Sequence, residues 1–173
     1  MAKKRLGLPF DPIAVAGEHW KEEFGPAESM RVATSIMRAQ QLLLTRYDEL
    51  LRPYNLTFAR YEALVLLTFS RTGELPMRVI GERLMVHPTS ATNIIDRLTK
   101  QGYVARRPNP ADGRGVLASI TAEGRDVVRH ATKELMAIDF GLGSLTEDQR
   151  TDVFDALRTL RIAVGDFLPD DAD

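Results

Sequence analysis

Apolar and polar positions alternate along the chain with a largely helical period. Ile13 to Phe24 reads as a short helix, with Asp11 placed to cap it and Pro12 suited to its first position, and Gly25-Pro26 ends it. From Glu28 to Arg52, Met30, Ala33, Met37, Leu44, Tyr47 and Leu51 recur at three- and four-residue spacing, interrupted only at Gln40, so a long helix with a packing seam is predicted up to Pro53. Thr57 to Arg71 predicts another helix, with Tyr61, Leu64, Val65, Thr68 and Phe69 in phase and Thr72-Gly73 as its exit. Pro76 then opens a short helix through Leu84 that turns Val79, Ile80 and Leu84 inward.

A tight connection at Met85 to His87 leads to a helix that starts at Pro88 and stops before Gly102. Tyr103 to Arg107 and Val116 to Ile120 are rich in strand formers. The turn residues Pro108 to Gly115 join them, which predicts a β-hairpin. Thr121 is a cap for a helix reaching about Leu142, with Val128, Ala131, Leu135 and Ile138 on one stripe. Thr146 to Gln149 matches a capping box, and Val153, Leu157, Leu160, Val164 and Phe167 form the stripe of a last helix. The fold class is therefore mainly α with a small β-hairpin: a winged helix-turn-helix lobe beside a helical lobe.

Composition narrows the function classes. With 173 residues, 44% apolar and 27% charged, the chain is of ordinary globular make-up. The absence of cysteine removes disulfides, thiolate catalysis and cysteine zinc sites. The longest run free of charge, Leu84 to Ile95, is polar and far short of the about 20 apolar residues of a membrane span, and the basic Met1 to Arg5 is not followed by a signal-like apolar run. A cytoplasmic protein is expected. His19, His87 and His130 lack metal-ligand spacing, and nucleophile elbows and phosphate-binding glycine loops are missing. Neither an enzyme, a cofactor nor a metal site is expected. Charge is divided by segment: Pro76 to Gly115 carries seven bases against three acids, and Asp139 to Asp173 nine acids against three bases. The first segment suits a polyanion.

On the helix from Pro88, Ala91, Ile94, Ile95 and Leu98 share one face, while Thr89, Asn93, Asp96 and Lys100 share the other, with Ser90, Thr92 and Arg97 at its margins. Short polar side chains permit close approach to a major groove, and Asn can pair bidentately with adenine. A merely solvated amphipathic helix explains that face equally well. The hairpin adds Arg106 and Arg107 near its base and Arg114 near its tip, where a narrow minor groove attracts arginine, with Asp112 placed to shape the turn and hold Arg114.

In these residues Leu75 to Thr121 resembles the winged core of the MarR family of bacterial transcription regulators. "HPTSATNIIDRLTKQGYVARR" resembles its recognition helix and first wing strand, Asp112 and Arg114 its Asp-x-Arg wing motif, and "LASITAEGRDVV" its strand-to-helix step. The likeness extends over roughly residues 28–168. It implies an obligate homodimer joined through its terminal helices, which binds an inverted-repeat operator and releases it to a small effector. It divides the chain into an N-terminal extension (1–27), a helical dimerisation region (28–56 and 122–168), a DNA-binding region (57–121) and a disordered tail (169–173). Apolar stripes on the long first helix and the last two helices exceed what a small winged lobe covers, although packing within one chain remains the alternative. A two-fold dimer places two recognition helices roughly 34 Å apart, hence a pseudo-palindromic site. Expected DNA-binding residues are Thr89, Ser90, Thr92 and Asn93 at bases, Arg97, Arg106 and Arg107 at phosphates, and Arg114 in the minor groove.

Trp20 precedes the shared core. A urate-responsive branch of the family is similar in carrying an extra helix with a pocket tryptophan, so Trp20 is a candidate effector contact for a small aromatic or anionic ligand as well as a packing anchor. Two further readings stay open: a winged-helix module that binds protein, and a DNA-binding activator without an effector.

Overall fold

A computed structural model describes residues 7–110 and 112–168, except the side chains of 113 and 114. The chain divides into two compact units, Met1–Arg46 and Tyr47–Asp173. In the first, α1 (Pro12–Glu23) starts as its sequence predicts, with Asp11 Oδ1 accepting the Ile13 N–H at 2.9 Å. Arg31 of α2 (Glu28–Leu51) pairs with Glu18 of α1. The expected seam of α2 stays largely open in this unit: Ala33, Met37 and Leu44 are exposed, and burial begins at Tyr47.

The second unit is built from α3 (Phe58–Phe69), β1 (Glu74–Pro76), α4 (Met77–Arg83), α5 (Pro88–Lys100), β2 (Val104–Asn109), β3 (Asp112–Ile120), α6 (Ala122–Ala137) and α7 (Glu147–Ala163). Leu64 and Leu67 of α3, Ile80 of α4, Ile95 and Leu98 of α5 and Leu135 of α6 are wholly buried and make one core. Phe69, in phase with the α3 stripe, is 81% exposed because it is the last helical residue and the chain turns extended at Ser70. The capping box of α7 forms in full: Gln149 N–H donates to Thr146 Oγ1 at 3.2 Å, and Thr146 N–H to Gln149 Oε1 at 3.0 Å.

Three differences from the sequence pattern have physical causes. The predicted two-stranded hairpin is a three-stranded antiparallel sheet of order β1-β3-β2, because Glu74, Leu75 and Pro76 pair with Ser119, Ala118 and Leu117. Most of the predicted turn Pro108 to Gly115 is strand, since β2 runs on to Asn109 and β3 begins at Asp112, with a bulge between Pro108 and Asn109. Finally, α6 stops at Ala137 rather than near Leu142. Asp139 and Phe140 take left-handed φ values of 52° and 50°, which no α-helix accommodates. The tail 169–173 and the basic start 1–6 lie outside the described residues. No helix among the described residues is long and apolar enough to cross a membrane.

Candidate nucleic-acid interface

The interface is set by what α5 buries. Ala91, Ile95 and Leu98 are buried, so Thr89, Ser90, Thr92, Asn93, Arg97 and Lys100 face solvent. His87 occupies the N-cap and its Nδ1 accepts the Thr89 N–H at 3.2 Å, satisfying a donor that a helix start otherwise leaves open. Met85, with φ of 55°, makes the left-handed turn between α4 and α5. Thr92 donates its hydroxyl proton to the Pro88 carbonyl at 3.0 Å and keeps oxygen lone pairs for an incoming donor. Among the described residues, the side chains of Thr89, Ser90, Asn93 and Arg97 have no hydrogen-bond partner, which leaves them open toward a ligand.

The wing stands beside this helix. Arg106 pairs with Asp96 of α5. Arg107 pairs with Glu74, its Nε and Nη2 donating to the two carboxylate oxygens at 3.1 and 2.5 Å, and Ser119 Oγ donates to the same carboxylate at 2.9 Å. The Arg107 bond, and after it the Ser119 bond, holds the Glu74 carboxyl below its ordinary value. Neither ion pair is legible from the pattern, because Arg107 and Glu74 lie 33 residues apart and a three-residue strand carries no period. Asp112 opens β3, and its carboxylate lies against Gly115, where a Cβ would sit 2.8 Å from Oδ2. The Arg114 side chain, expected to pair with Asp112, lies outside the described residues. Behind the wing, the Tyr103 carbonyl accepts the Thr121 N–H at 3.0 Å, which joins the wing to the start of α6.

Between α3 and α6 lies a cleft of about 800 Å³, walled by Val65, Val128 and Met136 and edged by Arg125, Arg129 and Lys133. Tyr61 and Thr132 bridge its two helices, their hydroxyl oxygens 3.0 Å apart. Desolvation pushes the Glu62 carboxyl at its edge above its ordinary value. Trp20 belongs to the first unit, where its ring meets Phe24 with centroids 5.0 Å apart. Among the described residues, no three His, Asp or Glu side chains are grouped to hold a metal ion.

Residues 54–115 match a profile of the MarR family. The solved structure of Sco5413, a MarR family transcriptional regulator from Streptomyces coelicolor, is 62% identical, covers 80% of this chain and 96% of its own, and superposes with a TM-score of 0.75. Sco3205, a MarR family transcriptional regulator of the same organism solved in complex with DNA, is 28% identical, covers 85% of this chain and 92% of its own, and gives a TM-score of 0.73. The HTH-type transcriptional regulator SarZ of Staphylococcus aureus is 25% identical over 116 residues, 67% of this chain and 76% of SarZ. A helix-turn-helix with an open polar face, a wing beside it and these relatives place the chain in the MarR family of DNA-binding transcriptional regulators.

Proposed function

We propose that two copies of the chain bind one pseudo-palindromic operator and repress transcription until a small aromatic or anionic effector releases them. The observation that carries the reading is the unspent polar face of α5. Thr89, Ser90, Thr92 and Asn93 would read base edges, Arg97 a phosphate, and Arg114 the minor groove reached by the wing tip. Sco3205, 28% identical, was solved with DNA bound, which supports the same role here.

The homodimer is supported by surface that one chain leaves bare. No residue of α7 is buried, and its Val153, Phe154 and Leu160 are exposed, as are Val32, Met37 and Leu42 of α2. Large apolar side chains left in water on either helix favour association. An effector would sit in the cleft between α3 and α6, where apolar walls take a ring and three cations attract a carboxylate or phenolate. Trp20, in the first unit, is a separate candidate for an effector contact. The expected place of action is the cytoplasm.

Anisotropy of a labelled duplex from the protein's own upstream region tests this, repeated with benzoate-type acids and at rising salt. Expected are tight binding by a dimer, affinity falling steeply with salt, and release by an acid. A protein that binds no duplex at low salt refutes the reading in favour of a protein-binding winged helix. An operator upstream of an activated promoter instead makes it an activator.

A further inference from the structure

Arg106 and Arg107 are neighbours on β2, and the pleat sends them to opposite faces of the sheet. On one face Arg106 grips Asp96 of α5. On the other, Arg107 reaches across the central strand β3 to Glu74 on β1, in the two-pronged geometry that fixes direction as well as distance. Ser119, directly opposite Glu74 in the ladder, adds a third donor to that carboxylate. One acidic side chain therefore ties all three strands together. Taking Arg107 away toward a phosphate would leave the Glu74 carboxylate with only Ser119 among the described residues.

We propose that Glu74 is a positioning residue for DNA reading: through Arg107 it straps the base of the wing and, with the Asp96–Arg106 pair on the other face, sets the wing's angle to α5. Arg107 is then a strut rather than a phosphate ligand. A helix in one groove and a wing tip in the next bind together only at a fixed offset, and a wing loose at its base pays the cost of ordering at the moment of binding. The inference rests on the DNA-binding reading above.

Wild type, Glu74→Gln, Arg107→Ala and the double variant are titrated by anisotropy against one duplex over a range of salt, with Arg97→Ala as the control for a lost phosphate contact. Each single variant is expected to weaken binding about fivefold and the double no more than either, the signature of residues that act as a unit. The slope of log affinity against log salt stays at the wild-type value in all three, whereas Arg97→Ala makes it shallower by about one. Exchanging the two charges, Glu74→Arg with Arg107→Glu, restores part of the affinity. Tighter binding by Glu74→Gln, or a slope shallower by about one in Arg107→Ala, overturns the proposal, because Arg107 would then be a phosphate ligand that Glu74 withholds. In DNA-free protein the Arg107 Nε–H nuclear resonance is expected to be protected from solvent exchange and to lose that protection in Glu74→Gln. An unaltered resonance overturns the strap. A wild type that binds no duplex overturns the function proposed above, while the DNA-free resonance still decides the strap.

Discussion

The phenolic hydroxyl of Tyr47, near the end of α2, donates to the carbonyl of Phe140 at 2.6 Å across 93 residues of sequence. The two rings also meet edge to face, with centroids 6.2 Å apart. The bond satisfies a carbonyl at the left-handed kink that ends α6. Tyr47→Phe is expected to destabilise the fold by about 1 kcal/mol, because the ring contact survives but the carbonyl loses its donor. Urea unfolding checks this, and an unchanged midpoint would show that water replaces the hydroxyl at no cost.

Gly124, in the first turn of α6, packs beneath the wing: a Cβ there would collide with the Tyr103 carbonyl oxygen and press on Ile120 at 3.0 Å. That carbonyl cannot move without giving up the Thr121 N–H it accepts. Gly124→Ala is therefore expected to cost about 1–3 kcal/mol despite the better helix propensity of alanine. Thermal unfolding of the variant measures it; a gain in stability would mean that the wing yields.

Acid should loosen the sheet. Because the Glu74 carboxyl is held below its ordinary value in the folded chain, its contribution is whole above the usual carboxylate range and lost as pH falls through the depressed value. Wild type is expected to exceed Glu74→Gln in stability at neutral pH, with the gap closing on acidification. Paired urea titrations at several pH values test the sign.

Glu62 has the opposite sign. Its carboxyl is raised by desolvation and has no partner among the described residues, so its charge opposes folding at neutral pH and ceases to do so once protonated. Glu62→Gln is expected to stabilise the protein slightly at neutral pH, by no more than about 0.5 kcal/mol for so exposed a position, and not at all in acid. A loss of stability at neutral pH would mean that the cations edging the same cleft hold its charge.

On the DNA side, Asn93→Ala is expected to cost about 1–3 kcal/mol of operator affinity while leaving binding to unrelated duplex unchanged. Arg114→Ala is expected to weaken operator binding and to leave the proposed dimer intact. Anisotropy with operator and scrambled duplex, together with sizing, separates these outcomes; an equal loss on both duplexes would make Asn93 a backbone contact.

Helix period and end chemistry made most of the fold legible. Asp11, Pro88, Thr121 and Thr146 stand where the helices begin, because caps act within three residues and leave a local trace. The open face of α5 followed from the same period. What stayed illegible depends on partners distant in sequence. β1 is three residues long and exists because Ser119 and its neighbours accept it as an edge, and the stop of α6 at Ala137 is accompanied by a bond to Tyr47. His87 borders the start of α5 as its place before Pro88 suggests, whereas the left-handed turn at Met85 leaves no trace in the pattern because that residue type is unusual there.

In the order β1-β3-β2, the outer side of β2 has no neighbouring strand among the described residues, and an open strand border is a template on which another chain can stack. This border carries Arg106, Arg107 and Pro108, two like charges and a residue that cannot donate, followed at once by the bulge. Wing-on-wing stacking into fibrous aggregates is thereby disfavoured at this border, however crowded the regulator becomes.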